Sequence, residues 1–206
     1  MNFIEFTKII DRDKIIDIRN VANYFDGIDR RRLYEWQKKG YLQKIANNFY
    51  CLSDTSADDD FLKSIACKIY TPSYVGLESA LAYYGLIPEA VFQTIAVTTR
   101  RNKVFKTKSG DFTYRSIKNS LFFGYKVIES ARGAFYISDP EKTLLDFFYF
   151  SVGADDPAFI QETRLNVAET REIIHIEKLK DYLKLFASKK VAKACERLME
   201  LVDVKL

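Results

Sequence analysis

The 206-residue chain holds one histidine and three cysteines. Cys51, Cys67 and Cys195 are odd in number, far apart and without a Cys-x-x-Cys pair, which excludes a disulfide framework and a structural zinc site. His175 has neither a reactive-cysteine context nor a Gly-x-Ser-x-Gly elbow to serve, so a histidine-based triad is not expected. Eight glycines and four prolines are too few for collagen-like or linker-like sequence. No apolar run approaches the roughly 20 residues that span a bilayer. The start, MNFIEFTKIIDRDK, lacks the basic segment and apolar stretch of a secretory signal, so a cytoplasmic protein without membrane partners is expected. Neither a GxxxxGK[ST] loop nor a GxGxxG turn occurs, and no cofactor is expected.

What is present is ordinary for a globular chain: 48% hydrophobic and 29% charged residues, with 16 Phe and 13 Tyr to fill a core. The length allows one or two domains. The net charge of +4 is unevenly spread. Residues 1–53 carry a net +3, 54–97 a net −4, 98–119 a net +6 and 120–206 a net −1. Two basic zones flank an acidic one, and clustered basic surface attracts phosphate or an acidic partner.

In the first zone, Phe3, Ile4, Phe6, Ile9 and Ile10 suggest a first helix. Ile18, Val21, Ala22 and Phe25 then follow the i, i+3, i+4, i+7 spacing of a second. Asp26-Gly27 breaks the chain. Asp29 is placed to cap a third helix, with Ile28 and Leu33 spaced as a hydrophobic staple. That helix, RRRLYEWQKK, ends at Gly40. At 100° per residue Leu33 and Trp36 share one face. Arg31, Tyr34, Glu35 and Lys38 share the opposite face, flanked by Arg30 and Arg32. YLQKIANNFYCL reads as a β-hairpin turning at Asn47-Asn48.

Helix, helix, turn, helix and hairpin in about 50 residues is the order of a winged helix-turn-helix, whose third helix enters the major groove. Arg30, Arg31 and Tyr34 are then placed to read bases, Arg being the commonest bidentate partner of guanine. Lys38, Lys39 and Lys44 suit phosphates, and Asn47 and Asn48 sit at the wing tip. Winged helices also dock proteins, so a module binding an acidic partner without sequence-specific DNA contact is the competing expectation.

A polar stretch over 54–60 marks a boundary between a first domain over 1–53 and a second over 60–206. Asp58, Asp59 and Asp60 suit the positive end of a helix over 60–70. After Thr71-Pro72-Ser73, YVGLESALAYYGL reads as a helix closed by Gly85. VFQTIAVT, FTYRSI, LFFGYKVIE and AFYIS read as strands, and TRRNKVFKTKSG as a basic loop or hairpin. Asp139 and Pro140 introduce the helix EKTLLDFFYF. The C-terminal third reads as helices: one within 156–170, one with Leu179, Tyr182, Leu183 and Phe186 on a face, and one with Val191, Cys195, Leu198 and Val202. The fold class expected is α+β with mostly antiparallel strands and a helical tail.

Catalytic spacing is missing. Asp111 with Asp139 and Lys142 approximates a metal-nuclease triad, but the second acid lies one residue too far from the lysine. Glu141-Lys142 is one residue too close. A helix cap explains the same residues, and no enzyme is expected. Arg100, Arg101, Lys103, Lys106 and Lys108, interleaved with Phe105, Phe112 and Tyr114, form a second candidate surface for nucleic acid or a protein partner.

Four segments in order then carry a likeness: GYLQKIANNFYCL, PSYVGLESALAYYGLIPE, FQTIAVTTRRNK and ISDPEKTLLDFFYF. With LNVAE and LKDYLKLFASKKVAK further on, the chain resembles the AbiEi antitoxins of bacterial type IV toxin–antitoxin (abortive infection) systems over nearly its whole length. The resemblance implies a winged helix that binds inverted repeats in double-stranded DNA of its own promoter and represses it. It also implies a C-terminal domain that counteracts a nucleotidyltransferase-type toxin, without direct toxin contact being required. Arg30, Arg31, Arg32, Lys38 and Lys39 match the family's basic helix, and Lys44, Asn47 and Asn48 its wing. The family wing carries a glycine where this chain has Asn48, and asparagine tolerates the same left-handed turn.

Overall fold

A computed structural model describes residues 2–21 and 29–203 of the chain. Asn2 opens α1 (Phe3–Thr7) with a capping box: its side chain accepts from the Glu5 backbone N–H while the Glu5 carboxylate accepts from its own. Phe6 is buried and Ile4 exposed, so the apolar run at the start serves only in part as core. A strand absent from the sequence reading, β1 (Ile16–Asp17), precedes α2 (Ile18–Val21). The expected positions of Ala22, Phe25, Asp26-Gly27 and Ile28 lie outside the described residues.

Asp29 caps α3 (Arg30–Lys38), its carboxylate accepting the Arg31 N–H at 2.9 Å. Leu33 and Trp36 are the buried positions of α3, as the helical period requires. Gly40, at φ +73°, closes the helix in a left-handed conformation that a side chain would resist. The chain then enters β2 (Leu42–Ala46) and β3 (Phe49–Leu52). These strands form an antiparallel sheet in the order β1-β3-β2. Asn47 takes the left-handed turn at φ 22°. Sequence reasoning put that conformation at Asn48, whose carbonyl instead accepts from the Ile18 N–H and ties the hairpin tip to the start of α2.

The three-stranded sheet has two apolar faces. Leu42, Tyr50 and Leu52 pack with Phe6, Ile16, Leu33 and Trp36. A bulge at Ile45 leaves that residue without a pairing partner. Ile45 packs with Ile15 and Cys51 against Phe61, Ile65, Phe112 and Tyr114. One hydrophobic cluster therefore takes residues from both sides of the 54–60 boundary. Arg132 adds an ion pair across it to Asp13 (2.9 Å) and another to Asp58 within it (2.6 Å).

The second unit is a six-stranded mixed sheet in the order β6-β7-β5-β4-β9-β8. Its strands are β4 (Ser73–Val75), β5 (Thr94–Thr98), β6 (Lys103–Lys106), β7 (Asp111–Ser116), β8 (Tyr125–Ile128) and β9 (Phe135–Ser138). Two of its ladders, β4–β9 and β5–β7, are parallel; the others in both sheets are antiparallel. One face is covered by α4 (Asp59–Ile69) and the hairpin cluster. The other packs under α5 (Leu77–Tyr83), α6 (Pro140–Phe150), α7 (Pro157–Glu162), α8 (Val167–Ile173), α9 (Ile176–Phe186) and α10 (Lys189–Leu201). The α+β class with a helical tail is what the pattern indicates.

The YVGLESALAYYGL segment differs from its reading. Tyr74 and Val75 belong to β4 in the middle of the sheet, and only Leu77–Tyr83 is helical. Gly76 stands at the break, where a Cβ would come within 3.0 Å of Val97 Cγ2 and crowd the neighbouring strand. The single helix expected within 156–170 is two, α7 and α8. Asp156-Pro157 starts one and Asn166, whose side chain accepts from the Glu169 N–H, starts the other.

A layer of buried charge lies where α6 meets α9. Lys142 and Asp146, one helical turn apart and both fully buried, form an ion pair. The Tyr74 hydroxyl donates to Asp146 (2.7 Å) and accepts from Lys142 (2.9 Å), closing the triangle. Beside it, Glu141 accepts the His175 N–H (2.8 Å) and pairs with Lys178 (2.9 Å). Burial alone would raise Glu141, but the His175 N–H and the Lys178 ammonium outweigh it and hold the carboxyl below its ordinary 4.5. A depressed carboxyl contributes stability above its unfolded value and loses it as pH falls through the folded one. Thermal melts of the wild type should therefore weaken below about pH 4.5, and Glu141→Gln should flatten that acid slope. An unchanged slope in the variant would contradict the assignment.

Candidate nucleic-acid interface

The exposed face of α3 is built by its core contacts. Leu33 and Trp36 anchor the helix on the sheet, with the Trp36 ring 4.9 Å from Phe6 and 5.3 Å from Phe3. The remaining positions are driven outward: Arg30, Arg31, Arg32, Tyr34, Lys38 and Lys39 are all exposed, Tyr34 by 68%. A tyrosine with its ring in water at mid-helix contributes no core packing and is free for an outside contact. Arg30 lies close enough to Tyr50 for its charge to oppose the rise that burial imposes on that phenol.

Lys44 stands exposed on β2, the edge strand of the three-stranded sheet. It pairs across the ladder with Tyr50, whose side chain belongs to the α3 side. Asn47 is exposed and Asn48 half-buried at the hairpin turn. The candidate residues of the first unit thus occupy one helix face and the adjoining hairpin.

The second candidate set divides. Arg100 is exposed, lies over the Tyr70 ring at 4.5 Å and donates to the Thr71 carbonyl (3.2 Å), contacts that fix where its guanidinium stands. The Arg101 side chain is exposed while its carbonyl accepts from Tyr70 (3.0 Å). Lys103 approaches the Phe105 ring at 5.6 Å on the outer strand β6. Lys106 and Lys108 are exposed at the end of β6 and in the turn that follows it. Phe112 and Tyr114 are core residues, the Tyr114 hydroxyl donating to the Ala66 carbonyl at 2.7 Å.

Lys106 and Lys108 line a cleft of about 350 Å³ whose opposite wall is β2 with Lys44, and whose end is Gln37 and Gly40 of the α3 terminus. Gln43 pins the walls together, its amide donating to the Ser109 hydroxyl at 2.6 Å. This cleft escaped the sequence reading. Its one local signal is the turn-forming Thr107-Lys108-Ser109-Gly110 between two β-prone runs.

The carboxylates weighed for catalysis are not assembled. Asp111 is exposed on β7, and Asp139 follows β9, with β5 and β4 between those strands. At about 4.8 Å per strand that is a separation of roughly 14 Å. Asp139 caps α6 by accepting the Lys142 N–H at 2.9 Å, and its other oxygen takes the Tyr182 hydroxyl (2.9 Å) and Lys178 (3.0 Å). Among the described residues no group of three or more His, Cys, Asp or Glu is placed to hold a metal. Cys51, Cys67 and Cys195 are free and buried, and burial pushes Cys67 up to about 12, away from nucleophilic use. Among the described residues no helix is long and apolar enough to cross a membrane.

No protein-family model matches the chain, and a search of the curated proteins finds no match either.

Proposed function

We propose that the first unit is a winged helix-turn-helix and that the protein is a DNA-binding autoregulator and antitoxin of the type IV toxin–antitoxin class. It counteracts a nucleotidyltransferase-type toxin without catalysing a reaction, and acts in the cytoplasm. The carrying observation is the α3 face: Arg30, Arg31, Tyr34 and Lys38 exposed together on a helix held from behind by Leu33 and Trp36. Support comes from the hairpin beside it, which presents Lys44 and an asparagine turn within a sheet of order β1-β3-β2. A wing so placed reaches the backbone flanking a helix seated in the major groove. The ordered likeness to AbiEi antitoxins supplies the antitoxin half of the reading.

The test is a reporter fused to the chain's own upstream DNA, with the neighbouring gene product expressed alongside. The protein should lower reporter output and relieve growth arrest caused by that product. Unchanged output with arrest relieved through a stable complex of the two proteins would favour the module that docks a protein partner.

A further inference from the structure

We infer that the β6–β7 turn and strand β2 together form a cleft that grips the DNA backbone, making the second unit part of the DNA-binding surface. The inference rests on the DNA-binding reading of the first unit and extends it to residues outside that unit. Three lysines line the cleft: Lys44 from β2, Lys106 from the end of β6 and Lys108 from the turn after it. All three are exposed, and among the described residues none has an ion-pair partner and no carboxylate lines the cleft. Asp111 stands opposite Lys106 across the β6–β7 ladder and offsets part of its charge, while Lys44 and Lys108 leave the cleft with a positive potential for whatever enters it.

The presentation is rigid. Thr107 closes the turn: its hydroxyl donates to the Gly110 carbonyl (2.8 Å) and accepts from the Ser109 and Gly110 N–H groups (3.2 Å each). Gln43 holds Ser109 against β2, and beneath them Ile45 and Cys51 share a core with Phe112. A turn whose backbone is already tied down loses less freedom on meeting a phosphate chain than a loose loop does.

A polyphosphate fits this lining better than an acidic protein. The apolar members, Leu42 and Ile45, are buried, so the accessible wall is lysine, amide and hydroxyl. Protein interfaces centre on aromatic and apolar side chains, which are missing here. Gln37 and Gly40 join the cleft to the end of α3, so a duplex on the exposed α3 face continues along it. Backbone contacts of this kind add affinity and footprint but no sequence preference.

Fluorescence anisotropy of the full chain on duplex DNA from upstream of its own gene, across a salt series, tests this. Each phosphate contact contributes about 0.9 to the slope of log affinity against log salt. Lys106→Ala/Lys108→Ala should lower the slope by about 2, so that the affinity lost between about 50 and about 200 mM salt shrinks roughly tenfold. The ratio of upstream to shuffled DNA should stay unchanged. Lys126→Ala/Lys193→Ala, which removes equal charge outside the cleft, should shift the slope less than half as far. Circular dichroism melts confirm that both variants fold. A cleft variant with the slope of the wild type or of the control overturns the inference, while the first-unit reading survives if the wild type still prefers upstream DNA. A wild type that binds neither DNA overturns both.

Discussion

Asp146→Ala is expected to lower stability by about 3–5 kcal/mol, because it leaves the fully buried Lys142 ammonium without its partner. For a chain of this length that is a fall in Tm on the order of 10 °C. The cost is not the worth of the pair. Removing both charges, as in Lys142→Met/Asp146→Leu, should restore most of the stability, since buried pairs replaced by apolar groups of similar volume are often neutral or better. Burial pushes Asp146 up to about 6 against the pull of Lys142, and burial lowers Lys142. A carboxyl raised in the folded state contributes stability that is complete below its unfolded value and lost as pH rises through the folded one. Asp146 thus acts opposite in sign to Glu141, and Asp146→Asn should remove a decline in stability between about pH 4 and about pH 6. Thermal and urea melts of the four proteins across that range measure both effects. An Asp146→Ala protein as stable as the wild type would contradict the buried-pair account.

Arg31→Ala is expected to cost about 1–3 kcal/mol at the preferred DNA site, roughly 5- to 150-fold in affinity, and to relax preference at one base position. The position argues for this. Arg31 lies in the first turn of α3, on the face opposite Leu33 and Trp36, and its backbone N–H is already held by Asp29. Truncating its side chain therefore removes an outward group and leaves the cap and the core intact. Competition binding against a set of single-base variants measures the preference directly. An Arg31→Ala protein with affinity and preference unchanged would contradict the placement of α3 in the groove.

The parts of this fold that were legible are those governed by local rules. Asp29 and Gly40 bracket α3, Asp58 and Asp139 cap α4 and α6, and the burial of Leu33, Trp36, Cys195 and Leu198 follows a 3.6-residue period. Where tertiary pairing decides, the sequence is weak. Tyr74 and Val75 sit in a stretch with helical composition, yet the sheet claims them as β4 because β5 and β9 flank them. β1 is two residues long and exists only through its ladder to β3. The same holds for the candidate interface. The α3 face is readable from one helix wheel. The cleft requires Lys44 and Lys106, 62 positions apart, to line one space, and the hydrophobic cluster beneath it mixes Ile45 with Phe112. Arg100 shows the converse: a basic run looks uniform in sequence, but one member is oriented by the Tyr70 ring.

The most direct test of the central claim is the affinity of the purified full chain for its own upstream DNA against a shuffled duplex, by anisotropy at two salt concentrations. The account predicts tight, salt-sensitive binding to the upstream duplex and at least about tenfold weaker binding to the shuffled one, since base contacts add to a backbone term both duplexes share. Equal, weak binding to both would contradict it, leaving a basic surface without readout and moving an acidic protein to the first place among partners.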